Sequence, residues 1–421
     1  MVSIPRLAML GVFMLGCVAS RGVAVELRNT VGEREVIRQV SFMQPAELEA
    51  PSLGEEFQLD DVGASCASCG QHGCSLDCLI PAAKWANFDY LLWWRKGMDL
   101  PPLAITTSSG DINDLRLGLA TTTILYGDET VGNEARPGGR VSLGWWLDDC
   151  ERCGVEGRFF SLGRQTIGFN AVSDGTVPLG RPFTNTIPNP DDPTSYTVAF
   201  LPDNTNGVIN VTGNSDLMGG DVLYRLLGCG YETSRLYLLA GYQYSRLDED
   251  LLISSSTFIT ATANTQAITD RFETRNEFHA GEIGIAYECY YDCWQFDLLA
   301  KVGFGNMEQT VTIAGTTTNN GTLAVPARGL LANTDIIDPT ITNQGRFTQD
   351  RFSVSPEIGA TASYSLNDCI QLSFGYSFIY WSSVAQAGSH IPPNLSVPAP
   401  FVFNDTSYWV HGLNAGVEFR F

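Results

Sequence analysis

The last thirteen residues of this chain constrain its fold more than any other segment. From Leu413 onward, apolar side chains alternate with small or charged ones, and the sequence ends on the aromatic residue Phe421. A repeat of two predicts a β-strand with one apolar face. In water, a terminal strand of this kind leaves an exposed edge that invites aggregation. Closure into a barrel with lipid outside removes that edge, so the segment favours a membrane barrel over a soluble β-sandwich.

The same alternation recurs in nine earlier segments, most clearly at 88–95 and 294–305. Short connections such as 289–293 alternate with long ones such as 165–214 and 248–275, and this asymmetry is typical of outer-membrane barrels. We therefore predict an all-β protein, a transmembrane antiparallel up-and-down β-barrel of about 10 strands with short periplasmic turns and long extracellular loops. Residues 115–126 hold another alternating stretch, so a barrel of about 12 strands is the alternative.

Composition and the first residues point to an exported protein of the same class. Only 17% of the 421 residues are charged, whereas soluble domains average about 25%. Residues 1–24 combine a positive charge with a short apolar run, which predicts a secretory signal peptide, with a weaker alternative of lipidation at Cys17. We expect residues 25–84 to form a periplasmic Cys-rich tail or plug. Residues 85–421 are expected to form a β-barrel in the outer membrane of a Gram-negative-type bacterium.

Ten cysteines follow the predicted signal peptide. Four form a C-x2-C-x4-C-x3-C cluster around His72, and six lie at or beside predicted periplasmic turns. The cluster has enough ligands for tetrahedral zinc, but the oxidising compartment favours disulfides. Pairing within turns, between neighbouring turns, or from the tail to the turns all stay open. The disulfide candidates are Cys66, Cys69, Cys74, Cys78, Cys150, Cys153, Cys229, Cys289, Cys293 and Cys369.

Charged residues recur on the strand face opposite the apolar one, which predicts that they face the lumen. Because both signs are present, we expect an ion-pair network rather than a selectivity ring or a catalytic pair. No nucleophile or metalloprotease motif is found, so we predict no enzyme activity, no cofactor and no metal. The predicted lumen charges are Asp89, Arg95, Arg140, Glu156, Arg158, Asp221, Arg225, Glu282, Asp297, Lys301, Glu357, Glu418 and Arg420.

Several motifs resemble a planctomycete-type family of outer-membrane β-barrel proteins with a porin-like barrel. They are Phe88-Asp89-Tyr90-Leu91-Leu92-Trp93-Trp94-Arg95, the segment 100–103, Gly138-Gly139-Arg140 with Gly144-Trp145-Trp146-Leu147, and Phe378-Ile379-Tyr380-Trp381. The resemblance covers about residues 85–421 and implies an outer-membrane barrel, without an established substrate. We expect the tryptophan pairs at 93–94 and 145–146 to anchor the barrel at membrane interfaces.

The net charge of −21 excludes nucleic acid as a partner, because binding it requires a basic face. A barrel of this size is narrow, so we predict a porin-like narrow channel for ions or small solutes. The alternative is a structural or adhesive surface protein that acts through its long acidic extracellular loops. Expected partners are outer-membrane lipid, the barrel-assembly machinery reading Phe421 as an assembly signal, and small solutes or ions for a channel.

Overall fold

A computed structural model describes residues 84–148, 150–185, 192–325, 327–334, 341–392 and 401–421. Within these residues, antiparallel strands form one closed ring that follows chain order, with the last strand paired to the first. The ring consists of β1 (Lys84–Arg95), β2 (Arg136–Trp146), β3 (Cys153–Ser173), β4 (Thr205–Tyr231), β5 (Ser234–Ile259), β6 (Asn264–Tyr291), β7 (Trp294–Asn319), β8 (Gly345–Asn367), β9 (Ile370–Ala385) and β10 (Asp405–Arg420).

The prediction of a ten-stranded antiparallel barrel is confirmed, and the twelve-stranded alternative is wrong. Residues Thr122–Tyr126, which suggested an extra hairpin, pair with Ala104–Thr107 in a separate small sheet outside the ring. Their alternating side chains therefore belong to a sheet formed by the loops rather than to the barrel wall. The predicted signal peptide and tail lie outside the described residues.

The predicted terminal strand closes the barrel as β10. The backbone N–H of Lys84 donates to the carbonyl of Phe421, and the N–H of Phe421 donates to the carbonyl of Lys84, each at 2.9 Å. Above this pair the register continues, with Trp93 opposite Gly412. These bonds remove the exposed edge that the sequence predicted for an isolated terminal strand. Recognition of Phe421 by the assembly machinery stays a prediction.

The outer face of the barrel wall is apolar, unlike the surface of a soluble protein. On β1, Phe88 and Tyr90 are 51% and 59% exposed on the outside, while Leu91 and Trp93 inside are 0% and 1% exposed. Charged side chains share the inner face, as shown by the low exposure of Asp89. An apolar outer surface matches lipid as the surrounding solvent. None of the described helices is long and apolar enough to cross a membrane.

Several strands are longer than the sequence indicated. The predicted long loop over 248–275 is instead the continuation of β5 and β6, which are joined by residues 260–263 alone. This stretch is rich in Thr and Ser, and β-branched Thr favours extended structure even where the surroundings are aqueous. A tilted strand of 28 residues spans about 70 Å, against about 30 Å of hydrocarbon. The barrel wall therefore projects well beyond the membrane on the loop side.

The loops fold into that projecting part of the wall, and together we call them the extracellular head. Their largest element is a four-stranded sheet that combines segments of the first and second long loops. The short elements of the head are Met98–Leu100, Ala104–Thr107, Ile112–Asp114, Thr122–Tyr126, Glu129–Val131, Leu179–Asn185, Asp192–Ala199, Leu201–Asp203, Thr322–Leu323 and Gly388–His390.

Candidate functional site

A cluster of buried charges lies in the lumen, and its side chains come from seven of the ten strands. The ammonium of Lys301 on β7 is surrounded by carboxylates from β4, β6 and β8. Its Nζ lies 2.7 Å from Asp221, 2.9 Å from Glu282 and 3.0 Å from Glu357. Oxygens of the three carboxylates come within 4.8 Å of one another, which is a spacing suited to a cation. In this protein, the lysine ammonium provides that positive charge.

Two arginines extend the cluster across the barrel. Arg158 on β3 pairs with Asp221 and, at 2.9 Å, with Glu357. Arg140 on β2 pairs with Asp89 at 2.8 Å and donates to the hydroxyl of Ser377 at 3.3 Å. We call these seven side chains the central cluster. With four carboxylates and three cations, the described charges there nearly cancel, as buried charges must. The central cluster comprises Asp89, Arg140, Arg158, Asp221, Glu282, Lys301 and Glu357.

Below the central cluster, a cavity of about 290 Å³ faces the periplasmic turns, and we call it the vestibule. Arg225 crosses it and pairs with Glu156, at 2.8 Å, and with Glu288. The same guanidinium packs over the rings of Tyr237 and Trp146, at 4.7 and 5.4 Å from their centroids. These contacts hold the arginine rigidly, because charge pairing and cation–π attraction act together.

The other predicted lumen charges of this region also line the vestibule. Asp297 accepts a 2.7 Å hydrogen bond from Gln295, and it lies opposite Glu288 on the neighbouring strand. Arg420 pairs with Glu418 at 2.7 Å and donates to Gln371 and Gln295. The vestibule is therefore a polar chamber of mixed charge, suited to water or small polar solutes.

Above the central cluster, apolar side chains fill the lumen, and we call them the apolar layer. They come from eight of the ten strands, with β2 and β8 as the exceptions. The indoles of Trp93 and Trp381 are fixed by hydrogen bonds to Asn414, at 2.7 Å, and to Ser245, at 2.9 Å. The layer comprises Leu91, Trp93, Phe160, Leu162, Leu217, Leu247, Phe278, Ala280, Met307, Ile379, Trp381, Val384, Tyr408 and Val410.

Arg95 is the one predicted lumen charge that lies on the far side of the apolar layer. Its guanidinium donates to the carbonyl of Gly132 at 2.9 Å, to Gln165 at 3.1 Å and to the hydroxyl of Ser215. These contacts tie the first long loop to the barrel wall. The other twelve predicted charges line the central cluster and the vestibule, on the periplasmic side.

The extracellular head has an apolar core of its own, which the sequence did not predict. Loop residues such as Leu103, Val198 and Ala332 pack on inward-facing strand residues such as Leu251 and Phe272. All five are at most 2% exposed. Because this core joins loop segments to the inner wall, it holds these loops inside the mouth of the barrel.

The sequence patterns also did not predict an ion pair inside the head. Arg181, from the second long loop, pairs with Asp270 of β6, and both side chains are at most 1% exposed. The other carboxylate oxygen of Asp270 accepts the backbone N–H groups of Leu331 and Ala332, each at 2.8 Å. One aspartate thus fastens two loops to the wall. The only available signal was that Arg181 is the single basic residue among the acids of its predicted loop.

The cysteines at the turns correct one part of the sequence prediction. Cys150 and Cys369 are disulfide-bonded. Cys153 and Cys289 carry free thiols, as does Cys229, so the structure does not contain the alternative of pairing within turns, Cys150 with Cys153 and Cys289 with Cys293. The Cys153 thiol instead lies 3.6 Å from the Asp148 carboxylate. The cluster from Cys66 to Cys78 lies outside the described residues.

The tryptophan pairs divide between the two faces of the wall. Trp145 is 56% exposed on the outer face, where an interface anchor belongs, and Trp94 stacks on His411 there. Trp93 and Trp146 point inward, because neighbouring residues of a strand face opposite sides. Trp94 and Trp145 therefore lie where interface anchors belong, whereas Trp93 and Trp146 fill the lumen, as the alternation of their strands predicts.

Comparison with solved structures finds outer-membrane barrels. The outer membrane protease OmpT from Escherichia coli is 10% identical, with a TM-score of 0.39, and the alignment covers 84% of this chain and 100% of OmpT. The P. putida toluene transporter TodX is 9% identical, with a TM-score of 0.20 and coverage of 81% and 91%. No curated protein matches the chain.

A closed ring of strands with an apolar exterior and a charged interior defines an outer-membrane β-barrel. The family model described as Putative beta barrel porin-7 matches residues 85–421. The chain belongs to this family of porin-like barrels, and its barrel begins in the structure at Lys84.

Proposed function

We propose that this protein is a sealed outer-membrane barrel that acts at the cell surface through its extracellular head. The observation that carries the proposal is the apolar layer, to which eight strands contribute buried side chains. A hydrated ion crossing this level would lose its water without gaining polar partners, and that desolvation is strongly unfavourable. The lumen at this level therefore works as a packed core rather than as a conduit.

The central cluster supports the same reading. A selectivity ring presents charge of one sign to water, whereas these carboxylates are paired with Lys301, Arg158 and Arg140. Arg158 of β3 and Glu357 of β8 join opposite parts of the ring through the lumen. The cluster is therefore suited to brace the barrel across its width.

The surface of the head supplies the chemistry for a partner. It exposes carboxylates on the first and second long loops, which makes it acidic, and its apolar core keeps these loops in fixed positions. A rigid acidic surface is suited to cationic partners or to contacts bridged by divalent cations. The exposed carboxylates are Asp111, Asp128, Glu129, Glu134, Asp174 and Asp203.

A narrow porin-like channel for ions or small solutes is the second candidate. The vestibule favours it, because this polar chamber of about 290 Å³ reaches the central cluster from the periplasmic side. On this reading the apolar layer is a gate, and conduction requires Trp93 and its neighbours to move. Membership of a porin-like family is consistent with both candidates.

The two candidate functions predict different behaviour of cells that express the full chain. We expect wild-type protein to leave the uptake of a small hydrophilic β-lactam unchanged while promoting attachment of the cells to a cationic surface. A variant in which Asp128, Glu129 and Glu134 are replaced by Asn and Gln should retain heat-modifiable gel mobility but attach less. Raised β-lactam uptake on wild-type expression would favour the channel and contradict the sealed barrel.

A further inference from the structure

A buried arginine beside the apolar layer has one edge of its guanidinium without a protein partner. Arg136 begins β2, lies opposite Trp93 and is 5% exposed. Its Nη1 donates to the carbonyl of Gly163 at 3.1 Å, whereas Nε and Nη2 donate to no atom of the described residues. We propose that this edge and the neighbouring Arg95 bind a small monovalent anion, either a carboxylate or a halide. This inference is independent of the proposed function.

The two unpartnered nitrogens of Arg136 are a pair that recognises anions. Nε–H and one N–H of Nη2 point in parallel from the same side of the planar guanidinium, and this fork matches the two oxygens of a carboxylate. A halide can accept the same two bonds. Both nitrogens are shielded from solvent, so bulk water does not satisfy them. Because buried donors nearly always have an acceptor in the protein, an ordered water or an ion, this edge defines an acceptor site.

A second buried cation lies beside this edge. Arg95 follows Trp93 by two residues on the inner face of β1, so Arg95 and Arg136 are diagonal neighbours, with Cβ atoms about 7–8 Å apart. Arg95 is 4% exposed, and the hydrogen bonds that it donates within the described residues all go to uncharged groups. Two like charges are therefore buried side by side without a carboxylate bonded to either, an arrangement that favours an anion. The uncharged groups belong to Gly132, Gln165, Ser215 and Tyr408.

The carboxylates of this region leave the pair of arginines positively charged. Glu249 of β5 interacts electrostatically with Arg95 and is 2% exposed, but it accepts a backbone N–H of the last long loop at 3.1 Å. Glu134 is exposed, and Asp216 pairs with Arg164 on the outer face. Two buried cations and one buried carboxylate leave one positive charge, which a monovalent anion neutralises. A phosphate or sulfate dianion would leave a buried negative charge instead, which is unfavourable.

An anion at this position would also hold the first long loop against the wall. Arg95 donates to the carbonyl of Gly132 at 2.9 Å, four residues before Arg136 in the chain. A negative charge between the two arginines offsets their repulsion and lowers the cost of burying both. The apolar layer blocks the periplasmic approach, so the anion is supplied from the extracellular side. Binding should therefore stabilise the folded barrel and reduce local opening around 132–136.

Urea unfolding of the full-length protein, refolded in phosphatidylcholine vesicles, tests the proposal at constant ionic strength. Sodium lactobionate, whose anion is too large for a buried site, is replaced stepwise by sodium formate or by sodium chloride. Because the anion binds the folded barrel alone, the unfolding equilibrium constant should fall saturably, by about elevenfold at ten times the Kd. Hydrogen exchange over 132–138 and 161–166 should slow with the same concentration dependence. Exchange over the periplasmic turn at 230–234 should not change.

Arg136→Gln removes the two-donor edge and should abolish the dependence on both anions. The control Arg164→Gln removes a nearby exposed cation, paired with Asp216, and should retain it. Equal dependence in wild type and Arg136→Gln would identify a general salt effect and overturn the proposal, as would a wild-type protein that responds to neither anion. If Arg136→Gln does not fold, the wild-type exchange data decide: slowing confined to 132–138 and 161–166 supports the site, and uniform or absent slowing overturns it.

Discussion

The ammonium of Lys301 lies 2.9 Å from Oε1 of Glu282, and neither side chain has any contact with solvent. Asp221 and Glu357 complete the surroundings of the same ammonium. Burial of these charges is tolerated because each carboxylate approaches a cation and the strands hold the geometry. At the level of the central cluster, the barrel therefore depends on paired charges where a soluble protein depends on apolar packing.

Removal of the central cation should destabilise the barrel. In the variant Lys301→Met, Arg158 would be the one cation shared by Asp221, Glu282 and Glu357. Because these buried carboxylates would lack sufficient positive charge, the free energy of unfolding should fall by about 3–5 kcal/mol. Urea unfolding of the folded protein in lipid vesicles measures the change. The control Arg152→Met removes the exposed pair with Asp148 and should cost at most about 1 kcal/mol. Equal stability of the two variants would contradict the bracing role.

The apolar layer should be the seal of the lumen. Trp93→Ala removes one of the two tryptophans of the layer and should lower the free energy of unfolding by about 3–5 kcal/mol, while allowing small ion currents in a planar bilayer. Its neighbour Trp94 provides a matched control, because it faces outward and stacks on His411. Trp94→Ala should give no current. If both variants are equally silent or equally conducting, the seal does not depend on this layer.

Asp270 should hold the head together. Asp270→Asn leaves the buried Arg181 guanidinium without its carboxylate and weakens the hydrogen bonds from Leu331 and Ala332. We expect these two amides to exchange hydrogen at least about tenfold faster, because a tenfold change corresponds to a loss of about 1.4 kcal/mol of local stability. Asp250→Asn, on the exposed outer face, is the control. Unchanged exchange in Asp270→Asn would show that the apolar core alone holds the loops.

Acid should loosen the last long loop through His390. Burial lowers the pKa of this histidine below its ordinary value, and Asp405 offsets part of the effect. His390 of the unfolded loop then binds a proton more readily than His390 of the folded loop. The folded loop therefore has its full stability above about pH 6.5, and this stability declines as the pH falls toward the folded-state pKa. Hydrogen exchange over 386–392 should therefore be faster at pH 5.5 than at pH 7.5, once corrected for intrinsic rates.

The variant His390→Phe retains a ring against Phe401 but has no proton to bind. It should abolish the additional pH dependence while lowering protection at both pH values, because the hydrogen bond to the carbonyl of Gln386 is lost. The same pH dependence in the variant would assign it to another group.

The sequence could predict which side chains point inward, because a period of two leaves no choice once the strands are placed. Lys301, Glu357 and Arg158 follow from that alternation alone. Their pairing could not be predicted, since Arg158 and Glu357 are 199 residues apart and meet only through closure of the ring. The alternation also could not show that Lys301 would bind three carboxylates rather than one.

The extracellular head was the part that sequence patterns described least well. Ser and Thr between Leu252 and Ala267 resemble a loop in composition, yet they continue β5 and β6 above the membrane. The pairing of Arg181 with Asp270 depends on how a loop folds back into the barrel, which no local pattern encodes. Burial of the loops in the mouth was missed for the same reason.

Single-channel recording of the purified wild-type protein, refolded into a planar bilayer with intact disulfides, tests the sealed lumen most directly. Heat-modifiable gel mobility of the same sample would show that the barrel had folded. The apolar layer predicts no discrete conductance steps across the voltage range that the bilayer tolerates. Reproducible steps from the folded protein would contradict the sealed barrel and support a porin-like channel gated at Trp93.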